Sequence, residues 1–320
     1  VRPLALLLIA GISVVNAMGI APGVLLQNLF TVGKLAAIAM LVVVGLGGGA
    51  SEGSTLAVTT TVAPDGVVGT LRALATALVP VLFAYGGWQQ TNFVAEEMVD
   101  PRRDLPRALV LGVLIVAVAY VSANLAYLRA LGVDGLAASH APAAEAMDRA
   151  VGDLGRGLIA VGIAVSTAGF LNVVILVTPR VYQAMARDGV FFRGLAALHP
   201  RTRAPVAAIT LQAAWSGALV LSGGYGDLLD WVTFADWIFF GATAATLFVF
   251  RRRAATATAT ALAPFHPWST GLFIVAAGFV VGGAVLSNPA NALRGTLMLA
   301  AGVPAYAWWR RRGTSPAQLE

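Results

Sequence analysis

Residues 78–107, LVPVLFAYGGWQQTNFVAEEMVDPRRDLPR, decide how the chain is read. The stretch opens as an apolar helix and meets a glycine pair at Gly86-Gly87. It restarts with polar residues at membrane depth and closes in a charged, proline-bracketed loop. A helix in a soluble core has no use for such a break. A discontinuous membrane helix that binds a solute at its interruption does, because the opened backbone supplies polar groups inside the bilayer.

The composition agrees with a membrane class. Hydrophobic residues make up 58% of the 320-residue chain and charged residues 11%, against roughly 25% charged in an average soluble domain. Mean hydropathy is +0.80. The formal charge of +6 is carried mostly by arginines in short loops between apolar runs, which is the positive-inside pattern. No basic patch with stacking aromatics offers a nucleic-acid surface. With no cysteine there is no disulfide-linked partner and no thiolate metal site, and the three scattered histidines have no metal spacing. No metal and no cofactor is expected.

Runs of roughly 20 apolar residues cross the hydrocarbon core. Nine candidates meet or approach that length: 4–20, 25–46, 74–98 (broken), 107–131, 158–182, 204–221, 228–250, 270–286 and 293–309. The expected fold class is an all-α membrane protein, a bundle of about nine transmembrane helices. Pro22-Gly23 is expected to turn the first span into the second. Arginines 102, 103 and 107, then 180, 187, 193, 201 and 203, then 251–253, then 310–312 lie on one side of such a bundle. That side is the cytoplasm, and it holds the C-terminus. Nine crossings put the N-terminus outside, with Arg2 on the wrong side; the charges fit better a chain that has lost an odd number of spans at its front. Residues 181–198 read as an amphipathic cytoplasmic loop, with Phe191 and Phe192 facing the membrane interface. The bundle is read as a single domain over residues 1–312, followed by a short cytoplasmic tail over 313–320.

Several residues are candidates for chemistry. Gln89, Gln90, Thr91 and Asn92 are consecutive, and they cannot all face lipid, where each unsatisfied polar group costs several kcal/mol. A helix opened at Gly86-Gly87 presents the last carbonyls of its first half, near Phe83 to Tyr85, and the negative end of a half-helix dipole suits an ammonium group. Lys34 lies near the middle of the span 25–46, where a lysine costs at least about 2.5–3.5 kcal/mol to insert and is a functional candidate by default. It can act as a fixed ammonium in the place of a coupling cation, or snorkel to an interface. Ser166, Thr167 and Asn172 share the fifth span. Ser and Thr usually bond their own helix backbone. Asp236, between Phe234 and Trp237, needs a partner or a proton at its depth. Glu96 and Glu97 read as a solvated helix end, and Tyr120 and Asn124 as helix–helix contacts. The P-loop, HExxH and GxSxG patterns are absent, and no paired acid and base is placed for catalysis, so an enzyme is not expected.

Three runs resemble one family. FAYGGWQQTNFVAEEMVDPRRDLPRAL is similar to the sixth helix and following loop of amino acid permeases of the amino acid–polyamine–organocation (APC) superfamily, L-type branch. TPRVYQAMARDGVFFRGLAALHPRTRAPVAAI is similar to that family's eighth helix, loop and start of the ninth. QNLFTVGKLAAIAML is similar to its fifth. The resemblance implies part of a LeuT-type five-plus-five inverted repeat with substrate bound near the midplane. The chain then begins at the family's fourth helix. It implies a secondary transporter, a permease or antiporter for an amino acid, neutral rather than cationic and independent of sodium. Phe83 would be an aromatic gate. Ala84, Tyr85 and Gly86 would offer carbonyls to the substrate ammonium beside Gly87, with Trp88 and Gln89 lining the pocket. Lys34 would stand where sodium binds in coupled relatives, with Ser166 and Thr167 near it, and Phe234, Asp236 and Trp237 would lie at the outer gate or pocket. The family's first helix, which supplies donors to the substrate carboxylate, is not in the sequence. The alternative is a non-transporting membrane scaffold or a degenerate permease remnant.

Overall fold

The computed structural model describes residues 2–47, 84–222, 225–253 and 265–312, with residues 66, 69, 70, 73, 74, 77 and 81 between them. Phe83, most of the expected span before it, and the connection 48–65 lie outside the described residues. The helices in chain order are α1 (Arg2–Ala17), α2 (Ile20–Gly47), α3 (Pro101–Ala138), α4 (Pro142–Val151), α5 (Asp153–Arg187), α6 (Val206–Ser222), α7 (Tyr225–Arg253), α8 (Trp268–Ser287) and α9 (Pro289–Arg312). A 3-10 segment, Trp88–Glu97, precedes α3, and a short 3-10 turn, Arg193–Leu195, follows α5. No strand occurs among the described residues.

Among the described residues, five segments are long and apolar enough to cross a membrane: Ile20–Gly47, Pro101–Ala138, Asp153–Arg187, Phe234–Arg252 and Trp268–Leu286. Arg2–Ala17 and Val206–Leu221 are shorter apolar helices. Helices form here because the bilayer leaves each backbone N–H and C=O to find its partner within its own segment. Leu111, Leu114, Ile115 and Val118 on α3 are each more than half exposed, a surface that lipid covers in a membrane and that would be a liability in water.

The chain divides into two compact units. One comprises residues 1–60 and 87–221 with 314–320, the other 61–86 and 222–313. In the first, α2 packs along α5, and α3, α4 and α1 join that pair. The α2–α5 seam is antiparallel and built on small residues. A Cβ added to Gly169 would stand 2.8 Å from Phe30 Cβ, one on Gly33 2.9 Å from Val165 Cγ1, and one on Gly162 2.5 Å from Ala37 Cβ. Without a hydrophobic drive between helices in lipid, such close approach is what gives dispersion its grip. Gly162→Leu should therefore overpack the seam and destabilise the protein by about 1–3 kcal/mol. Gly157→Leu, one and a half turns away with nothing within 4 Å of the new Cβ, should leave the melting temperature of the detergent-purified protein unchanged. Equal melting of the two variants would contradict this seam.

In the second unit α8 packs on α7, and α9 contacts both. At the α7–α8 corner, the His266 ring lies 4.9 Å from that of Phe248, and its Nδ1 is 2.9 Å from Thr270 Oγ1. Burial, and secondarily the charge of Arg251, hold the imidazole below its ordinary pKa.

The structure corrects four local expectations. The turn between α1 and α2 falls at Met18-Gly19, where Gly19 has φ 125°, not at Pro22-Gly23. Pro22 sits in the first turn of α2, where its missing N–H has no helical partner to lose. The stretch after Gly86-Gly87 is a 3-10 segment. The connection between the candidate spans 107–131 and 158–182 contains a helix, α4, and α3 is interrupted at Gly132 (φ 71°). Finally, α5 continues to Arg187, and the loop beyond folds back onto it, with Gln183 Nε2 donating to the Ala196 carbonyl at 3.3 Å. Phe191 packs on Tyr182 at 6.0 Å, while Phe192 is 54% exposed.

Candidate functional site

The break at the glycine pair is real in the backbone. Just before it, the Tyr85 N–H donates to the Val81 carbonyl at 3.1 Å. Gly87 takes φ 103°, a conformation that L side chains rarely adopt. Its N–H donates to Gln89 Oε1 at 2.9 Å, and Gln90 N–H donates to the Gly87 carbonyl at 3.1 Å. The turn is thus closed by its own polar residues. The 3-10 segment that follows carries Trp88, Gln89, Gln90, Thr91 and Asn92, and it packs against α3 and α5. Gln90 Oε1 is buried and has no partner among the described residues. The segment ends at Glu97; the side chains of Glu96 and Glu97 lie outside what is described. Asp100 then caps α3, its carboxylate accepting from Arg103 N–H at 3.2 Å.

Lys34 belongs to the seam. Phe30 faces Gly169 and Ala37 faces Gly162, and residues 30, 34 and 37 form one stripe at helical spacing. Lys34 is half-buried in that stripe, whereas its neighbours Val32 and Leu35 are 67% and 44% exposed. The register sets Lys34 opposite Val165, at the level of Ser166. Among the described residues it has no ion pair. Thr167 donates its hydroxyl to the Ile163 carbonyl at 2.9 Å, so it is satisfied on its own helix. α5 is the shared neighbour of α2, which carries Lys34, and of the polar 3-10 segment.

The other sequence candidates lie in the second unit, with Ala84, Tyr85 and Gly86. Phe234 is buried at 6% exposure, its ring covering Gly295 of α9. Trp237 stacks on Phe273 of α8 at 6.1 Å and meets Phe240 edge-on at 5.8 Å. Asp236, between them, is half-buried. Asn124, expected at a helix–helix contact, instead donates to the Tyr120 carbonyl of its own helix at 2.8 Å.

One constellation was only partly visible in the sequence. Asn172, fully buried, donates to the Gly23 carbonyl at 3.1 Å and to Gln27 Oε1 at 2.9 Å, and accepts from Asn16 Nδ2 at 2.9 Å. Asn16 and Gln27 carried no individual signal; their only mark was being amides inside apolar runs.

Several membrane-length helices, a left-handed glycine ahead of a polar 3-10 segment, and a lysine set inside a helix seam fit an integral membrane protein. The family model for amino acid permeases matches residues 1–303, and the chain belongs to that family, one of transporters and not of enzymes. It is 32% identical to the serine/threonine exchanger SteT of Bacillus subtilis, over 94% of this chain and 68% of that protein. It is 29% identical to the mouse large neutral amino acids transporter small subunit 2, over 78% of this chain and 47% of the relative. To the rabbit b(0,+)-type amino acid transporter 1 it is 30% identical, over 78% of this chain and 51% of the relative. The chain thus spans about half the length of these mammalian relatives.

Proposed function

We propose that the protein is a secondary amino acid transporter, a permease or exchanger that works by alternating access without sodium. The observation that carries this reading is the interruption at Tyr85-Gly86-Gly87, with Gly87 at φ 103° and a polar 3-10 segment after it. An interrupted membrane helix serves to turn backbone groups toward a solute. The carbonyls of Ala84, Tyr85 and Gly86 receive the substrate ammonium, Phe83 closes over it, and Trp88 and Gln89 line the pocket. Lys34, in the α2–α5 seam near Ser166, holds the position of a coupling cation as a fixed positive charge. Phe234, Asp236 and Trp237 belong to the outer gate or pocket. The architecture is that of the LeuT-type inverted repeat, with about nine crossings, residues 1–312 acting as one transport domain, and residues 313–320 a cytoplasmic tail.

The arginine-rich loops and the C-terminus face the cytoplasm of a multi-pass cell-membrane protein. A contact supports this orientation: Thr202 Oγ1, in the α5–α6 loop, donates to the Ala17 carbonyl at the α1–α2 elbow at 3.2 Å. Loops that touch share a side of the membrane, so the α1–α2 elbow lies on the side of the arginine-rich α5–α6 loop. Asp236 is the only carboxylate among the candidate pocket residues, which favours a neutral substrate, as does the likeness to a serine/threonine exchanger and a large neutral amino acids transporter.

The test is exchange in proteoliposomes. Labelled serine, leucine and arginine are offered to the purified protein, with unlabelled amino acid inside and no sodium. Uptake of serine or leucine that depends on internal amino acid is the expected result. Absence of any protein-dependent uptake would remove the reading.

A further inference from the structure

We infer that Asn172 is the positioning residue that sets α2, and with it Lys34, in register against α5. The inference rests on the transport reading only for the role given to Lys34; the placement itself is a matter of packing.

From α5, the Asn172 side chain bonds to both α1 and α2. Its two amide hydrogens are both spent on α2, one on the Gly23 carbonyl in the first turn and one on Gln27 Oε1 a turn later. Its oxygen takes the Asn16 amide of α1. A single contact would fix a distance. Two contacts one turn apart, from one rigid planar group, fix both the height and the rotation of α2. Gln27 and Lys34 are seven residues apart, two turns on the same face, or about 10 Å along the axis. Whatever holds Gln27 toward Asn172 therefore turns Lys34 toward Val165 and Ser166.

The remainder of the seam cannot do this alone. Phe30, Gly33, Ala37, Gly162, Val165 and Gly169 are apolar, and small-residue surfaces of this kind slide by a residue with little loss of contact. Buried amides do not slide, because each displaced group is left unpaired in a medium with no water. Gly23 adds a stop: a Cβ there would run into Asn16 Oδ1 and stand 3.0 Å from Leu176 Cδ1.

The chain contains no cysteine, so an introduced pair reports the register directly. A Cβ on Gly33 lies 2.9 Å from Val165 Cγ1, which puts the pair Gly33→Cys, Val165→Cys within disulfide reach, about 3.5–4.5 Å between Cβ atoms. In otherwise unaltered protein, copper-phenanthroline oxidation should join the pair efficiently. Adding Asn172→Leu should slow joining by about tenfold, the effect of unpairing buried amide bonds. Exchanging the two amides, Asn172→Gln with Gln27→Asn, should restore most of the rate, which general destabilisation would not allow. Should the leucine variant not be recoverable from the membrane, Asn172→Ala, smaller and without donors, carries the same expectation. Joining at the parent rate in either variant overturns the inference, as does failure of the amide exchange to rescue. In transport assays without the cysteines, Asn172→Leu should lower the maximal rate and leave KM within about twofold, since no substrate contact is altered. A protein that carries no amino acid yet shows slowed joining and its rescue would defeat the transport reading and leave the placement standing.

Discussion

Substituting Lys34 with methionine lowers amino acid exchange in proteoliposomes by at least about a hundredfold, while the protein still inserts and purifies as a folded species. The expectation follows from where the residue sits. Lys34 lies between Phe30 and Ala37, which face Gly169 and Gly162 of α5, and methionine conserves most of the apolar volume of its stem. What is lost is the charge, which in the proposed role takes the place of a coupling cation. A hundredfold in rate corresponds to about 2.7 kcal/mol on the barrier. Lys34→Arg keeps the charge but brings a planar fork into a seam closed by Gly162 and Gly169, and should recover only part of the rate. If the methionine variant exchanges as fast as the parent, Lys34 is a snorkelling residue and the cation assignment fails.

The second large effect belongs to Gly87. Its φ of 103° is forbidden in practice to a β-branched side chain, yet a Cβ built there meets nothing within 4 Å. The cost of Gly87→Val is therefore conformational and not steric crowding, about 1–3 kcal/mol of local strain. The chain relieves it by reshaping the turn, which breaks the Gly87–Gln89 bond and swings Trp88. Exchange should fall by ten- to a hundredfold or so. Gly87→Asn, which tolerates left-handed backbone better than other residues, should be milder than valine. Parent-like exchange by the valine variant would mean that the shape of this turn is not used by the substrate.

Most of the fold was legible because lipid is a demanding solvent. A run of apolar residues long enough to cross has one way to satisfy its backbone, so hydropathy located the helices, including α2, α3, α5, α7 and α8. Their ends were harder. Pro22 looked like a turn former and is one in many settings. Here its fixed φ suits the opening of α2, and the turn passes to Gly19, whose φ of 125° no hydropathy pattern announces. The 3-10 winding of residues 88–97 was equally hidden, since a polar run carries no apolar period to read.

The candidate site was legible where one residue type is expensive in its place. Lys34 and the glycine pair declared themselves by cost. Thr167 gives no such signal, because an alcohol on a helix has a partner one turn back. The amides of Asn16, Gln27 and Asn172 form a connected group only in three dimensions; they are separated by up to 156 positions in the chain, and amides at that separation give no local pattern.

That separation has a consequence for how the protein is made. Asn16 and Gln27 leave the ribosome about 145 residues before the amide that completes their bonding. At translation speeds of about 5–20 residues per second, the α1–α2 hairpin waits on the order of 10–30 s for α5. During that interval two polar side chains must be sheltered by the insertion machinery or by water at the membrane surface. The bilayer therefore receives this hairpin as a provisional element, and the synthesis of α5 is the event that commits it.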